Sequence, residues 1–352
     1  MIGLQSLHSE KIKEAYSEWC DAAKDLFAVK TGNEQFYVLK KNGKKHQFHT
    51  LQEKIEYLSK KNLKVLAKKE GLSETNQEVV GLRMAEELNY IFANKERLWN
   101  LDLEGIKAEA QRCDDNIKRK TRLYYYVYKS LKDPFEDVYK RMQDVMQDVV
   151  FQKLDIRTCP YCNRQYTFTL VPKKEGDPNT SPEFDHFYPK SEYPTLAICF
   201  YNLIPSCHCC NHGKGAKQLR INPYSYSFMG RFYVTDKSKH VPTGKDVLNI
   251  RNKEDIHIIY KGTPEEEEDV RTLGLDQLYS MHSDYVEEII NKANAYNTAL
   301  NQHLTEAFQG VYQTGQEVFD FVWGRYLETD QLENRSLAKL TRDILEQIGI
   351  KR

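Results

Sequence analysis

Apolar positions in the first 152 residues recur mostly at three- and four-residue steps, the period of helices with one buried face. His8 to about Phe27 reads as a first amphipathic helix and Leu51–Lys69 as another. Ser73 or Thr75 caps the next, which carries Val79, Leu82, Leu88 and Phe92. Asp102 to about Lys132 reads as a charged helix ending in RLYYYVYKS. Those tyrosines could stack on bases, but aromatics at helical spacing are read first as core. Pro134 fits the first turn of one more helix, along which Phe135, Val138, Met142, Val145 and Val149 recur. The period breaks at EQFYVLKKNGKKHQFHT, where Asn42-Gly43 predicts a tight hairpin.

From about Arg157 to Pro223 the helical period lapses, and Cys, Pro, Asn and Gly take over. KKEGDPNTSP (173–182) is a loop by composition, and short strands fit Gln165–Val171 and Glu183–Tyr188. Beyond Pro223, RFYVT and DIHIIYKG read as strands, and the acidic PEEEED run as a surface loop. Helices then fit Ser283–Phe308, Gly315–Leu327 and Arg335–Ile348. No internal repeat is visible. The expected fold class is α+β, mostly helical: a helical N-terminal region (1–152) suited to docking a partner or nucleic acid, a small central module (153–225), and short strands followed by helices (226–352).

Composition narrows the function classes. No run of about 18 apolar residues exists, so no membrane span is expected. The start, MIGLQSLHSEKIKEAYSEW, lacks the basic and apolar segments of a secretory leader, so the expected location is cytoplasmic. The formal net charge is zero, but Lys40–Lys69 holds ten Lys against two Glu, and Glu265–Glu288 holds nine acids against one Arg. Nucleic acid binds to local basic surface, so a neutral total does not exclude it. Each run taken alone reads as a solvated face.

Eight cysteines stand at 20, 113, 159, 162, 199, 207, 209 and 210. Cys159-Pro-Tyr-Cys162 and Cys207-His-Cys-Cys210 are both C-x2-C turns, and two such turns supply the four thiolates of a structural Zn2+. The competing explanation is four unrelated buried thiols. Cys209 and His208 are further possible ligands, while Cys20, Cys113 and Cys199 read as ordinary buried thiols. The 44 residues between the turns exceed a simple ribbon and contain Asp185-His186 and Asn202; Asn211, Lys214 and Lys217 follow Cys210.

In this order — C-x2-C, D-H, N, C-x2-C-N-x2-K — the segment from Cys159 to Lys217 resembles the HNH endonucleases, the ββα-metal or His-Me finger nucleases, and most closely their branch stapled by four cysteines around zinc. The resemblance covers under a fifth of the chain. It implies a zinc-bound ββα-metal module that hydrolyses phosphodiesters of DNA, less readily RNA. His186 would activate water, Asp185 and Asn211 would hold a catalytic Mg2+ or Mn2+, and Asn202 would orient His186 or the finger loop. An imidazole suits the first task because it titrates near neutrality, and a hard cation prefers oxygen donors. Arg164, Lys190, Lys214 and Lys217 are candidates for phosphate contact, each alone more simply a surface charge. The sequence departs from the family twice. Asn211 stands where His is frequent, with His212 beside it as a substitute or additional ligand. The loop after His186, YPKSEYPTLAICF, is more apolar than the usual glycine-rich one, as in HNH proteins of bacterial anti-phage defence loci, the Septu type among them, where the nuclease works with an ATPase. Such a partner subunit, a homodimer and nucleic acid are therefore the expected partners. The alternatives are a catalytically inert zinc-ribbon nucleic-acid binder and an inert interaction subunit. The remaining histidines (8, 46, 49, 240, 257, 282 and 303) read as structural.

Overall fold

Capping chemistry sets the helix boundaries of the N-terminal half. In the computed structural model, α1 spans Ser9–Phe27, and a hairpin of β1 (Tyr37–Lys41) and β2 (Lys44–Phe48) follows. The two strands pair antiparallel, Tyr37 with Phe48 through Lys41 with Lys44, a register that leaves two residues for the turn. The Thr50 hydroxyl accepts from Glu53 N at 3.1 Å to open α2 (Leu51–Glu70), and Ser73 accepts from Asn76 N to open α3 (Glu74–Ala93). Next come α4 (Lys95–Trp99), α5 (Leu103–Lys120), α6 (Leu123–Met146), the short α7 (Gln152–Leu154) and β3 (Glu183–His186). The structure describes residues 2–4, 9–27, 37–41, 44–48, 50–120, 123–146, 152–154, 156–170, 182–225, 228–235, 240–250, 252–296, 298–307, 310–311 and 314–350. The 173–182 loop and the Asn42-Gly43 turn fall almost wholly outside them.

The chain divides into two units that do not follow sequence order: a helical unit of residues 10–155 and 169–204, and a cysteine unit of residues 1–9, 156–168 and 205–352. In the helical unit, Ile12, Ala15, Trp19 and Ala23 form the buried stripe of α1, and the Trp19 indole donates to the Ile198 carbonyl at 3.1 Å. The stripe of α3 is Val80, Met84, Leu88 and Ile91, not the one read from Val79 and Leu82; Leu82 points to solvent. A second correction concerns RLYYYVYKS. The charged helix stops at Lys120, and this segment opens α6, which runs through Pro134 without a break. Tyr124 and Tyr128 are core and Tyr125 is exposed, as expected for one face of a helix. Proline lacks the N–H that would bond the Ser130 carbonyl; Asn62 Nδ2 on α2 donates to that carbonyl instead, at 3.3 Å, and so keeps the helix whole.

The longest stretch of the cysteine unit starts within β4 (Leu203–Ser206), which pairs with β3, and continues with α8 (His208–Lys214), β5 (Arg231–Thr235), α9 (Gly244–Leu248) and β6 (His257–Lys261). Five helices follow: α10 (Pro264–Thr272), α11 (Leu275–Ser280), α12 (Ser283–Ala295), α13 (Thr298–Ala307) and α14 (Gly315–Trp323), and then α15 (Ala338–Gln347) closes the chain. Strands β5 and β6 pair antiparallel, and their alternate residues Phe232, Val234, Ile258 and Tyr260 are buried. The far edge of β5 is satisfied by a helix. Lys339, Asp343 and Gln347 lie one turn apart on α15; Lys339 Nζ donates to the Gly230 carbonyl at 2.7 Å, Asp343 accepts from Phe232 N at 3.0 Å, and Gln347 exchanges two bonds with the Val234 backbone. Four helical residues rise about 6 Å and two strand residues nearly 7 Å, so the two repeats stay in step.

Three other expectations change. The PEEEED run is helical in α10, not a surface loop. Thr263 and Glu266 form a capping box and Pro264 takes the first turn. Two acids of the run are buried because backbone amides bind them: Glu266 accepts from Met229 and Thr263, and Asp269 accepts from Arg220 and Ile221 at 2.7 and 2.9 Å. The helix read over Ser283–Phe308 is two, α12 and α13. Among the described residues, the strand read at Gln165–Val171 is reduced to isolated pairing, with Thr158 bridged to Tyr166.

Candidate functional site

The first C-x2-C turn is a hairpin knuckle. Cys159 N donates to the Gln165 carbonyl at 2.9 Å, Asn163 N to the Cys159 carbonyl at 2.7 Å, and Arg164 N to Cys162 Sγ at 3.4 Å. Closing so tightly requires a left-handed residue after Cys162, and Asn163 supplies it with φ 49°. The second turn begins at the N-cap of α8, so Cys207 and Cys210 flank its first turn.

These turns bring together the four cysteines read from the sequence. Cys159, Cys162, Cys207 and Cys210 are all buried, and their sulfurs lie within 4.8 Å of one another. Cys162 Sγ and Cys207 Sγ are 3.9 Å apart. A tetrahedron with metal–sulfur bonds of about 2.3 Å has corners about 3.8 Å apart, so donor type and spacing both fit Zn2+. Cys162 is held below the ordinary thiol range, first by the thiols around it and also by the Arg164 amide. Cys209 stays outside the cluster, exposed, with the Gln165 amide 3.7 Å from its sulfur. His208 and His212 lie one helical turn apart on α8, exposed, with ring centroids 4.1 Å apart. Cys113 and Cys199 belong to the helical unit; burial pushes the Cys113 thiol up to about 12 and raises that of Cys199, as expected of packing thiols.

Sequence reasoning missed Asn163 itself. Its Nδ2 donates to Thr158 Oγ1 at 2.9 Å and to the Leu332 and Arg335 carbonyls at 2.8 and 3.1 Å; its Oδ1 accepts from Lys339 N at 2.9 Å, and its carbonyl from Leu337 N at 2.6 Å. The knuckle thereby holds the N-terminus of α15, where Leu337 takes a left-handed conformation with φ 59°. The signal was present, since a residue directly after a C-x2-C turn that is Asn rather than Gly has a side chain to place. Its partners, about 170 residues away, were not legible.

In the helical unit, β3 ends in Asp185 and His186, which are 2% and 7% exposed. His186 Nε2 lies 2.9 Å from the Ala197 carbonyl oxygen. The Tyr139 ring of α6 meets the imidazole edge-on, with centroids 4.7 Å apart. Asn202 is fully buried and clamps the segment that leaves His186: its Oδ1 accepts from Tyr188 N at 2.7 Å, and its Nδ2 donates to the Tyr188 and Leu196 carbonyls at 3.1 and 2.9 Å. Asn211 stands on α8 in the cysteine unit, where its N–H bonds the Cys207 carbonyl at 3.0 Å.

The four basic candidates differ. Lys217 is exposed, whereas Lys214 is 1% exposed and buried in the cysteine unit. Lys190 pairs with Glu136 at 3.3 Å and lies over the Tyr139 ring. Arg164 turns its Nε to His282 Nε2 at 2.9 Å.

No protein family matches the sequence, and no solved structure matches it. A segment of 41 residues, 12% of the chain, is 44% identical to the Septu protein PtuB of Bacillus thuringiensis. The match spans 16% of that protein's length. No helix among the described residues is long and apolar enough to cross a membrane.

Proposed function

We propose that the chain is a metal-dependent endonuclease of the HNH kind that cuts DNA as the nuclease component of a bacterial anti-phage defence system. The contact between His186 Nε2 and the Ala197 carbonyl carries this reading. A carbonyl oxygen only accepts, so in the neutral ring Nε2 holds the proton and Nδ1 the lone pair. A histidine fixed in one tautomer, on a strand clamped by Asn202, is suited to take a proton from water at Nδ1. The Asp185 carboxylate and the Asn211 amide are oxygen donors of the type that Mg2+ or Mn2+ prefers; bound, such an ion would offset charge developing on the phosphate. The order β3, β4, α8, with a cysteine pair on either side of the strands, is the order expected of a zinc-stapled ββα-metal module. Similarity to a segment of a Septu protein supports the defence role; an ATPase partner is part of the proposal. One such module cuts one strand, so double-strand cleavage would take two copies or two turnovers.

The test compares wild type with His186→Ala on plasmid, single-stranded DNA and RNA, with Mg2+ or Mn2+, with and without the product of a neighbouring gene. Loss of cleavage by about 10²–10⁴-fold is expected for removal of a general base, with zinc content and melting temperature unchanged. A variant that cuts like wild type removes His186 from the mechanism. The burial of Asp185 and His186 favours the second reading, a catalytically inert nucleic-acid-binding or interaction subunit, and wild type inactive in every arm would establish it.

A further inference from the structure

The cysteine unit holds a cavity of about 780 Å³, lined chiefly by α12, α14, the turn after α14 and α15. Aromatic rings and guanidinium groups share its wall: Tyr285, Phe321, Trp323 and Tyr326 with Arg325 and Arg335. Phe321 and Tyr326 remain 58% and 36% exposed, apolar surface that the fold leaves in water. Tyr326 has φ 69°, a left-handed conformation that costs a bulky residue energy and is found where surrounding structure imposes it. Gly324 has φ 92°, a conformation that favours glycine, and the Arg335 guanidinium packs against it. Arg335, like Arg325, is an exposed residue.

Charge in the wall is unevenly committed. Glu288 is paired with Lys292 at 2.6 Å, Glu317 accepts from Thr314 N at the start of α14, and Asp320 accepts from Gln316. Arg325 and Arg335 make no ion pair and no side-chain hydrogen bond among the described residues. The Trp323 indole, 5% exposed, leaves its Nε1–H without an acceptor. Each carboxylate of the wall thus has a partner, whereas the two guanidinium groups have none among the described residues.

We infer that this cavity binds a nucleoside phosphate. Two guanidinium forks match phosphate oxygens, the exposed ring faces match a base, and the volume is that of a small-ligand site. The ligand could be a free nucleotide or the phosphorylated end of a nucleic-acid strand. The inference does not depend on cleavage.

Isothermal titration of the zinc-loaded full chain tests it with four probes: ATP, a short single-stranded oligodeoxynucleotide bearing a 5′-phosphate, the same strand with a 5′-hydroxyl, and inorganic phosphate. ATP or the phosphorylated strand should bind at least about tenfold more tightly than inorganic phosphate; binding of ATP identifies a free nucleotide, and binding of the phosphorylated strand alone identifies a strand end. Arg325→Gln and Arg335→Gln should each weaken binding about tenfold, the scale of one charge-assisted pair, at unchanged melting temperature. Both arginines are exposed, so each variant should fold and the two test the site independently. His186→Ala should bind like wild type, which separates this site from the nuclease reading. The inference is overturned if neither ATP nor the phosphorylated strand binds, if phosphate binds as tightly as they do, if the 5′-hydroxyl strand matches the phosphorylated one while ATP fails, or if Arg325→Gln keeps wild-type affinity.

Discussion

Asn163 shows how one side chain can do two jobs that are usually separate. Its backbone takes the left-handed turn of the knuckle, and its amide holds the N-terminus of α15. Asn163→Gly keeps the turn and loses the amide, whereas Asn163→Ala loses both. In urea unfolding, Ala should cost about 3 kcal/mol, the sum of a left-handed penalty and a buried N–H left without its acceptor, and Gly should fall between Ala and wild type. Equal stability of the three would show that the hydrogen bonds are incidental. His282, read from the sequence as merely structural, supports the same knuckle by accepting from Arg164. Burial, and then the Arg164 guanidinium, lower its pKa below the ordinary 6.5. Folding therefore favours the neutral ring. The stabilisation is complete above pH 6.5 and is lost as pH falls through the lower folded value, because the unfolded chain takes up the proton first. A His282→Gln variant, which keeps an acceptor and removes the titration, should show a flatter stability profile below pH 6.5. An unchanged profile would remove His282 from acid sensitivity.

At the scale of elements, the sequence was most readable where the signal was local. The cap at Ser73, the Asn42-Gly43 spacing of β1 and β2, and the alternation in β5 and β6 all rest on a few neighbouring residues. Helix α10 was misread although its Thr263-Pro264-Glu265-Glu266 start was also local, because five consecutive acids look like a solvated run until their backbone partners are known. Pro134 was misread for a different reason: its missing hydrogen bond is replaced by Asn62, far earlier in the chain, and no local rule contains that donor. Asn62→Leu should therefore destabilise the chain by about 1–2 kcal/mol, the cost of a buried carbonyl left unmet. In a Pro134→Ala background the restored backbone amide at that position supplies the bond, so the same change should cost measurably less. A double-mutant cycle with no coupling between the two positions would refute the replacement.

Across the whole molecule, the four-cysteine cluster was legible because metal chemistry dictates both residue type and spacing, whereas the division into two interleaved units was not. The knuckle at 156–168 and the residues from 205 onward fold as one unit, and the intervening 169–204, which carries Asp185, His186 and Asn202, belongs with helices from the first half of the chain. Sequence order placed all of them in one module of 153–225, because contacts over such distances leave no periodic trace. The division has a consequence for metal removal. All four cysteines that could hold the metal lie in the cysteine unit, whose knuckle also anchors α15 through Asn163, so the binding energy of a metal there would be folding energy of that unit. The helical unit has its own core, built on Trp19, Leu88, Tyr128 and Phe135, and a buried cluster in which Arg112 forks onto Glu87 and pairs with Glu109 at 2.7 Å. Chelation, or Cys162→Ser, should therefore release one equivalent of zinc and abolish amide-exchange protection in α8 and α15 while α3, α5 and α6 keep most of theirs. Full zinc content in a Cys162→Ser/Cys210→Ser double variant would overturn the ligand assignment. Simultaneous loss of protection in α3 and α15 would show instead that the two units unfold as one, and that zinc staples the whole chain.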